Sequence, residues 1–257
     1  MRMRSYLASV YREILSATFR RLVPIRDCGP IVSFSFDDFP RSALTMGGEI
    51  LKRFGARGTY YVATDLMDSS NDLGEQFHLG DLHRLVEDGH ELASHTKGHL
   101  SSRKVSFATF RDNMRKGRES LARAADIEDS GNFAYPYGHV TFEAKRKLGP
   151  ELVSSRGTCG GINGPAIDLN LLRANSLYGD LSQLNRASEL ISRNERKKGW
   201  LIFYTHDVTE KPSKFGCTPG LLEAVVARAA AANKIMTVTA VMGQLQAETR
   251  QRAAVLA

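Results

Sequence analysis

The chain has 257 residues, of which 42% are hydrophobic and 25% charged, a composition that excludes collagen-like, low-complexity and wholly disordered proteins. Its net charge of +7 raises the question of a nucleic-acid partner. Five arginines and one glutamate within residues 1–23 carry most of that excess, however, and no DNA-binding motif occurs, so we expect no nucleic-acid partner.

The N-terminal segment is predicted to form a helix over residues 3–23, because Val10, Ile14 and Leu15 recur at helical spacing. Three roles remain open for it. The alternatives are a helix packed on the body or on a second subunit, a helix lying at an anionic membrane surface, and a disordered arm. We treat residues 1–28 as a basic amphipathic segment and residues 29–257 as one main domain.

Residues 1–25 contain no continuous apolar stretch of the kind found in a signal peptide. Cys28, Cys159 and Cys217 are far apart and form no CxxC pair, which excludes a disulfide framework and a thiolate zinc site. We therefore expect a cytoplasmic protein, with peripheral contact at the inner face of the membrane through residues 1–23 as a possibility to test.

From residue 30 onward, short β-branched or aromatic runs alternate with helical patterns. The strands are predicted at residues 31–36, 59–63, 91–94, 132–135, 201–205 and 235–238, and the helices at 42–54, 82–88, 107–121 and 221–232. This alternation predicts an α/β fold with a largely parallel sheet or barrel. A glycine-rich stretch at 156–165 fits no nucleotide-binding motif and is predicted to be a rim loop.

Polar residues follow four of the predicted strands, where parallel α/β folds place their sites. His95 and His99 have the i, i+4 spacing that puts two imidazoles on one face of a helical turn. Together with an aspartate from the first strand end, they predict a three-ligand metal site with open positions, which is typical of a catalytic zinc.

Four motifs in this order resemble those of the polysaccharide deacetylases, the NodB-homology domain of carbohydrate esterase family 4. They are Ser-Phe-Asp-Asp at 35–38, His-Thr-Lys-Gly-His at 95–99, Phe-Ala-Tyr-Pro-Tyr-Gly at 133–138 and Phe-Tyr-Thr-His-Asp at 203–207. The resemblance covers about residues 30–243. It implies a distorted (β/α) barrel with about seven parallel strands and a metal-dependent hydrolase.

The resemblance also implies roles for individual residues. Asp38, His95 and His99 would bind one divalent metal ion, usually Zn²⁺, although Co²⁺, Ni²⁺ or Fe²⁺ suit the same ligands. Asp37 would be the general base that acts on the attacking water, and His206 the general acid that protonates the departing amine.

The resemblance implies that two further residues contact the substrate. Two other residues differ from the family pattern. The backbone N–H near Tyr137 would help to hold the oxyanion, and Pro136 would form a groove wall beside it. Phe39 replaces the usual glycine and is expected to add an aromatic wall near the metal. Ala134 replaces an arginine that orients the base, and Arg173 is our candidate for its substitute. The aspartate of the usual fourth motif is not recognisable.

The predicted activity is removal of N-acetyl, or less favourably N-formyl or O-acetyl, groups from an amino-sugar-containing saccharide or its precursor. A lipid-linked or nucleotide-linked precursor fits the expected location. One alternative is a hydrolase of a non-sugar amide or formamide in the same superfamily. Another is a catalytically silent carbohydrate-binding protein. The sequence does not determine the oligomeric state.

Overall fold

A parallel β-sheet forms the centre of the computed structural model, which describes residues 2–25 and 29–256 and the side chains of residues 10–25 and 29–248. Cys28 lies outside the described residues, and the predicted boundary between residues 28 and 29 falls at their edge. The strands are β1 (Leu22–Pro24), β2 (Ile31–Asp38), β3 (Thr59–Val62), β4 (Ser70–Asn71), β5 (Gly74–Glu75), β6 (Glu91–Ser94), β7 (Asn132–Ala134), β8 (Ser154–Arg156), β9 (Ala166–Asp168), β10 (Asn175–Ser176), β11 (Trp200–Thr205) and β12 (Lys234–Ile235).

Seven strands pair in the order β10-β11-β2-β3-β6-β7-β8, and β12 pairs with the start of β2. Every pairing in this sheet is parallel. The predicted fold class, a distorted α/β barrel with about seven parallel strands, is confirmed. Because the strands are parallel, their carboxyl ends all open toward one end of the barrel.

Helices cover the outside of the sheet. They are α1 (Arg2–Ala17), α2 (Glu49–Arg53), α3 (Leu79–Glu87), α4 (Phe107–Ala125), α5 (Phe142–Leu148), α6 (Leu184–Lys197), α7 (Pro219–Ala230) and α8 (Val238–Leu256), and a π-helical turn at Ala43–Gly48 precedes α2. Side-chain caps explain where several begin. The hydroxyl of Ser106 accepts the N–H of Thr109 at the start of α4, and that of Thr218 accepts the N–H of Leu221 at the start of α7. No helix among the residues searched is long and apolar enough to cross a membrane.

The main core lies between the sheet and these helices. Strands β2 and β11 are buried along their whole length, as expected of parallel strands covered on both faces. Phe34 and Phe203 face each other across the β2–β11 register and stack with ring centroids 5.8 Å apart. The sheet is thus rigid at its centre, and its polar residues follow the buried strands at their carboxyl ends.

The N-terminal helix is shorter than predicted. It ends at Ala17, and residues 22–24 form β1, which pairs antiparallel with β9. The helical prediction to residue 23 was wrong because main-chain partners on β9 hold the chain extended. The hydroxyl of Tyr11 donates to the carbonyl of Val140 at 3.0 Å, and Leu15 is buried. The described part of the segment packs on the body.

A buried lysine fixes this packing. Lys145 on α5 is fully buried, donates to the carbonyl of Leu15 at 2.8 Å and forms an ion pair with Asp168 at 2.7 Å. Asp168 also accepts the backbone N–H of Arg21 at 2.9 Å. The ion pair therefore ties α1, α5 and β9 together.

Candidate active site

The carboxyl ends of β2, β6 and β11, with the turn after β7, meet at a cavity of about 940 Å³. Eight of its lining residues belong to the four sequence motifs, and the remainder come from the β4–β5 hairpin and from later loops. The motif residues on the wall are Asp37, Asp38, His95, His99, Tyr137, Gly138, Tyr204 and His206. Pro136, predicted to form a groove wall, is buried in the turn and does not line the cavity.

Asp38, His95 and His99 form one cluster, with ligand atoms all within 4.8 Å of one another. Asp38 Oδ1 lies 3.5 Å from His95 Nε2 and 3.1 Å from His99 Nε2. The Nδ1 of His95 donates to the carbonyl of Ala134 at 2.8 Å, which leaves its Nε2 lone pair facing the aspartate. Asp38 Oδ1 is buried without a hydrogen-bond partner. An unpartnered carboxylate oxygen facing imidazole nitrogens fits a divalent cation.

Burial favours the uncharged form of all three side chains, which for the two histidines is the form that binds a metal ion. It lowers the pKa of His95 to about 3 and that of His99 to about 4, so both imidazoles are neutral at pH 7. Burial and the charge of Asp37 together raise the pKa of Asp38 to about 7. A bound cation would favour the carboxylate form of Asp38, because metal ligands bind deprotonated.

The histidine pair does not lie on a helical turn, and that prediction was wrong. Residues 95–99 are irregular, with φ of +70° at Thr96 and +50° at His99. The side-chain amide oxygen of Asn113 on α4 accepts the N–H groups of Lys97 and Gly98 at 3.1 and 3.0 Å. These side-chain contacts take up donors that a helix would use, and the loop brings both imidazoles to Asp38.

Asp37 is held by Arg156 at the end of β8. Arg156 forms an ion pair with Asp37, is 1% exposed, and donates to the carbonyl of Gly157 at 3.2 Å. Its guanidinium lies 4.6 Å from the ring centroid of Tyr61 and 5.1 Å from that of Tyr204. Burial raises the pKa of Asp37, but Arg156 and neighbouring histidines outweigh it and hold the pKa below its usual value.

Arg173, the candidate from sequence, does not contact Asp37. Its Nη1 donates to the carbonyl of Gly160 at 3.0 Å, and its side chain lines a different cavity beside α1. Arg156 instead faces Ala134 across the β7–β8 register. The guanidinium thus comes from the strand next to the one on which the family motif usually carries it.

His206 follows β11 and faces the same cavity. Its Nδ1 lies 3.2 Å from the carbonyl of Phe215 and therefore carries the proton of that contact, which leaves Nε2 free. Burial lowers its pKa. The loop that carries Phe215 is anchored by Asp207, which accepts the N–H of Ser213 at 2.7 Å and its hydroxyl at 2.6 Å. A main-chain carbonyl thus orients His206.

Tyr137 occupies the exposed rim of the cavity. It has a φ of +61°, and its ring centroid lies 4.4 Å from that of His99. The N–H groups of Gly138 and His139 bond to carbonyls of the same turn. Phe39 is not a wall of the cavity, because it is fully buried and stacks on Phe77 at 5.0 Å.

Comparisons with known proteins give a family match for part of the chain and similar folds for most of it. Residues 26–150 match the family model of the polysaccharide deacetylases. No curated protein matches the sequence. Among solved structures, a proposed polysaccharide deacetylase of Mycobacterium smegmatis superposes with a TM-score of 0.58 at 15% identity, covering 88% of this chain and 94% of that one.

Two further solved structures are similar. The peptidoglycan deacetylase PdaC of Bacillus subtilis gives a TM-score of 0.53 at 14% identity, over 90% of this chain and 96% of that chain. The Xyl-CE4 domain of a multidomain xylanase from the hindgut metagenome of Trinervitermes trinervoides also gives 0.53, at 18% identity, over 84% and 91%. At such identities the likeness concerns the fold. Residues 26–150 thus match the polysaccharide deacetylase family, and most of the chain has the fold of these solved structures.

Proposed function

We propose that the chain is a metal-dependent hydrolase that removes N-acetyl groups from an amino-sugar-containing saccharide or saccharide precursor. One observation carries the proposal. The Asp38–His95–His99 cluster, the Asp37–Arg156 ion pair and His206 all contribute to the wall or support of one open cavity. This combination supports the proposal, because it would provide a cation site, a base and an acid at one cavity.

Asp38, His95 and His99 would hold one divalent cation, with Zn²⁺ the first choice for a carboxylate and two imidazoles. When bound, such a cation polarises water and a carbonyl oxygen and stabilises negative charge. The remaining work of amide hydrolysis is proton transfer, and it falls to residues of the chain itself.

Asp37 is the proposed general base. Arg156 favours its ionised form, so the carboxylate is available to accept a proton from the attacking water at neutral pH. His206 is the proposed general acid, which protonates the departing amine. An amine leaves poorly unless it is protonated, and the imidazolium form of His206 would supply that proton, although burial lowers the pKa of this side chain.

The N–H of Tyr137 is the proposed oxyanion donor. The neighbouring N–H groups of Gly138 and His139 already bond within the turn, so Tyr137 is the residue of this turn with a donor to offer. The exposed rings of Tyr137 and Phe215 at the cavity rim provide flat apolar surfaces for sugar faces.

The test measures acetate release from chitooligosaccharides and from nucleotide-linked and lipid-linked N-acetylhexosamines, with EDTA and with added Zn²⁺. We expect release from one class, abolished by EDTA and restored by Zn²⁺. Asp37→Asn and His206→Ala should each lower kcat by about 10²–10⁴-fold. The matched control is His83→Ala, since His83 is exposed on α3.

Metal content provides a second measurement. The protein should bind one equivalent of Zn²⁺, and His95→Ala should lose it. Bound metal without acetate release from any sugar, but with hydrolysis of a simple formamide, would favour the non-sugar alternative. Saccharide binding without any hydrolysis would favour a silent carbohydrate-binding protein.

We also propose that the precursor is met at the cytoplasmic face of a membrane. Support comes from Ile14, Phe19 and Leu22, which are 49%, 43% and 49% exposed in the same segment as the exposed Arg20. Deleting residues 1–23 is a poor test, because residues 22–24 form a strand. Partition of Ile14→Ser and Phe19→Ser variants to phosphatidylglycerol vesicles is cleaner. Partition equal to that of the unmodified protein would refute the membrane contact.

A further inference from the structure

A second cavity, of about 460 Å³, lies between α1 and the glycine-rich segment that follows β8. Its volume falls in the range of ligand sites, roughly 300–1,000 Å³. Arg12, Glu13 and Arg20 line one side of it, and Thr158 and Arg173 line the other. We call it the arginine cavity.

The arginine cavity adjoins the catalytic cavity through Thr158, which lines both. Thr158 packs directly on the turn that bears Tyr137. A Cβ placed on Gly138 would come within 2.0 Å of the Thr158 hydroxyl oxygen. Among the described residues that hydroxyl has no hydrogen-bond partner. A molecule extending from the Tyr137 rim past Thr158 would therefore enter the arginine cavity.

Three guanidinium groups and one carboxylate border this cavity. Arg12, Arg20 and Arg173 are exposed, and none forms an ion pair within the ranges that the structure describes. Glu13 is the single acidic residue of the lining. By contrast, Arg111 and Arg115 both pair with Glu151. The arginine cavity keeps an uncompensated positive charge.

We propose that the arginine cavity binds the phosphate or diphosphate group of a phosphate-linked amino sugar whose acetamido group enters the catalytic cavity. Guanidinium groups bind phosphate oxygens through paired, charge-assisted hydrogen bonds, which explains the preference for arginine. This inference rests on the proposed function, which it narrows to glycosyl phosphates. Nucleoside diphosphates and polyprenyl diphosphates share this chemistry.

The first test needs no turnover. Inorganic pyrophosphate is titrated into the full-length protein by calorimetry, and the titration is repeated with Arg12→Gln/Arg20→Gln and with Arg173→Gln. We expect the affinity to fall about tenfold for each guanidinium removed. Arg193→Gln on α6 is the matched control for Arg173→Gln, and Arg193→Gln/Arg196→Gln is the matched control for the double variant, because each makes the same charge change outside the cavity. Thermal melting of each variant checks that it is folded.

The result that would overturn the inference is an absence of pyrophosphate binding, or binding that is equally weakened by Arg193→Gln. Competition distinguishes the two sources. Displacement of pyrophosphate by UDP but not by farnesyl diphosphate indicates a nucleotide-linked sugar, and the reverse indicates a lipid-linked one.

A second test connects the cavity to turnover. The ratio of kcat/KM for N-acetylglucosamine 1-phosphate to that for chitotriose should fall at least about tenfold in Arg12→Gln/Arg20→Gln. An unchanged ratio overturns the inference while leaving the proposed deacetylation intact. Pyrophosphate binding at the arginines without acetate release from any sugar would instead overturn the proposed function alone.

Discussion

The ion pair between Arg156 and Asp37 allows a quantitative prediction about Arg156→Met. The substitution keeps an unbranched side chain but removes the guanidinium, and Asp37, which is only 4% exposed, stays buried without its partner. Removing one member of a buried ion pair costs about 3–5 kcal/mol of unfolding free energy. For a chain of this size we expect the Tm to fall by about 6–20 °C.

The assay is urea unfolding at pH 7 in the presence of EDTA. The double variant Arg156→Met/Asp37→Asn removes both charges and should be less destabilised than Arg156→Met alone, because no unpaired charge remains buried. Arg173→Met is the control. Since Arg173 is exposed and does not contact Asp37, its effect should stay within about 0.5 kcal/mol.

The pH dependence has a defined sign. The pKa of Asp37 is held below its ordinary 3.8, so the ion pair stabilises the protein fully above that value and loses its contribution as the pH falls through the lower folded pKa. In Arg156→Met, burial alone raises that pKa, and the stability deficit should narrow on acidification. A deficit below about 1 kcal/mol at pH 7, as for an exposed ion pair, would refute the reasoning.

Two further predictions concern packing. Lys145→Met should lower the unfolding free energy measured in urea by about 3–5 kcal/mol, because Asp168 loses its ion-pair partner. The variant should also be cleaved faster in the N-terminal helix by limited proteolysis, and a cleavage rate equal to that of the wild type would contradict this. Gly138→Ala should lower kcat/KM about 100-fold, since its Cβ collides with Thr158 at a φ of +62°. Gly80→Ala, where an added Cβ meets nothing within 4 Å, is the control, and equal activity of the two variants would contradict the geometry.

The predicted strands that carry the motifs were recoverable from sequence because each is a short apolar run ending in polar residues. The strand at 91–94 has the predicted bounds, and those starting at 31 and 132 differ only at their ends. The shared end of a parallel sheet then brings Asp37, Asp38, His95, His99 and His206 to one cavity. Local pattern and topology were sufficient for this part of the site.

The sequence pattern that located the motif residues could not identify Arg156 as the partner of Asp37. It ends a three-residue strand, Ser-Ser-Arg, which shows no apolar alternation and merges into the glycine-rich segment. Its contact with Asp37 depends on the β7–β8 register, which places it opposite Ala134. An alanine where the family usually has arginine was the one available signal, and it pointed to a missing charge without saying which strand supplied it.

The backbone conformation of two segments was also not predictable from the sequence pattern. The spacing of His95 and His99 is compatible with a helix, but Asn113, which lies on a helix some 15 residues further along, captures the loop N–H groups. The strand at 22–24 likewise depends on pairing with residues 166–168. In both cases the deciding partner is distant in sequence, so local propensity could not identify it.

The left-handed backbone around the cavity has a consequence for attempts to make this protein more robust. A residue with a side chain costs about 1–2 kcal/mol in the left-handed conformation relative to the right-handed one. Substitution by glycine would remove this strain, but at the cavity it would also delete a side chain that the site uses. The residues concerned are Asp38, His99 and Tyr137. Asp126 and Lys198 share the conformation, yet they merely end α4 and α6 on the outside of the barrel. Glycine suits such helix ends, so these two positions offer added thermal tolerance that leaves the chemistry untouched.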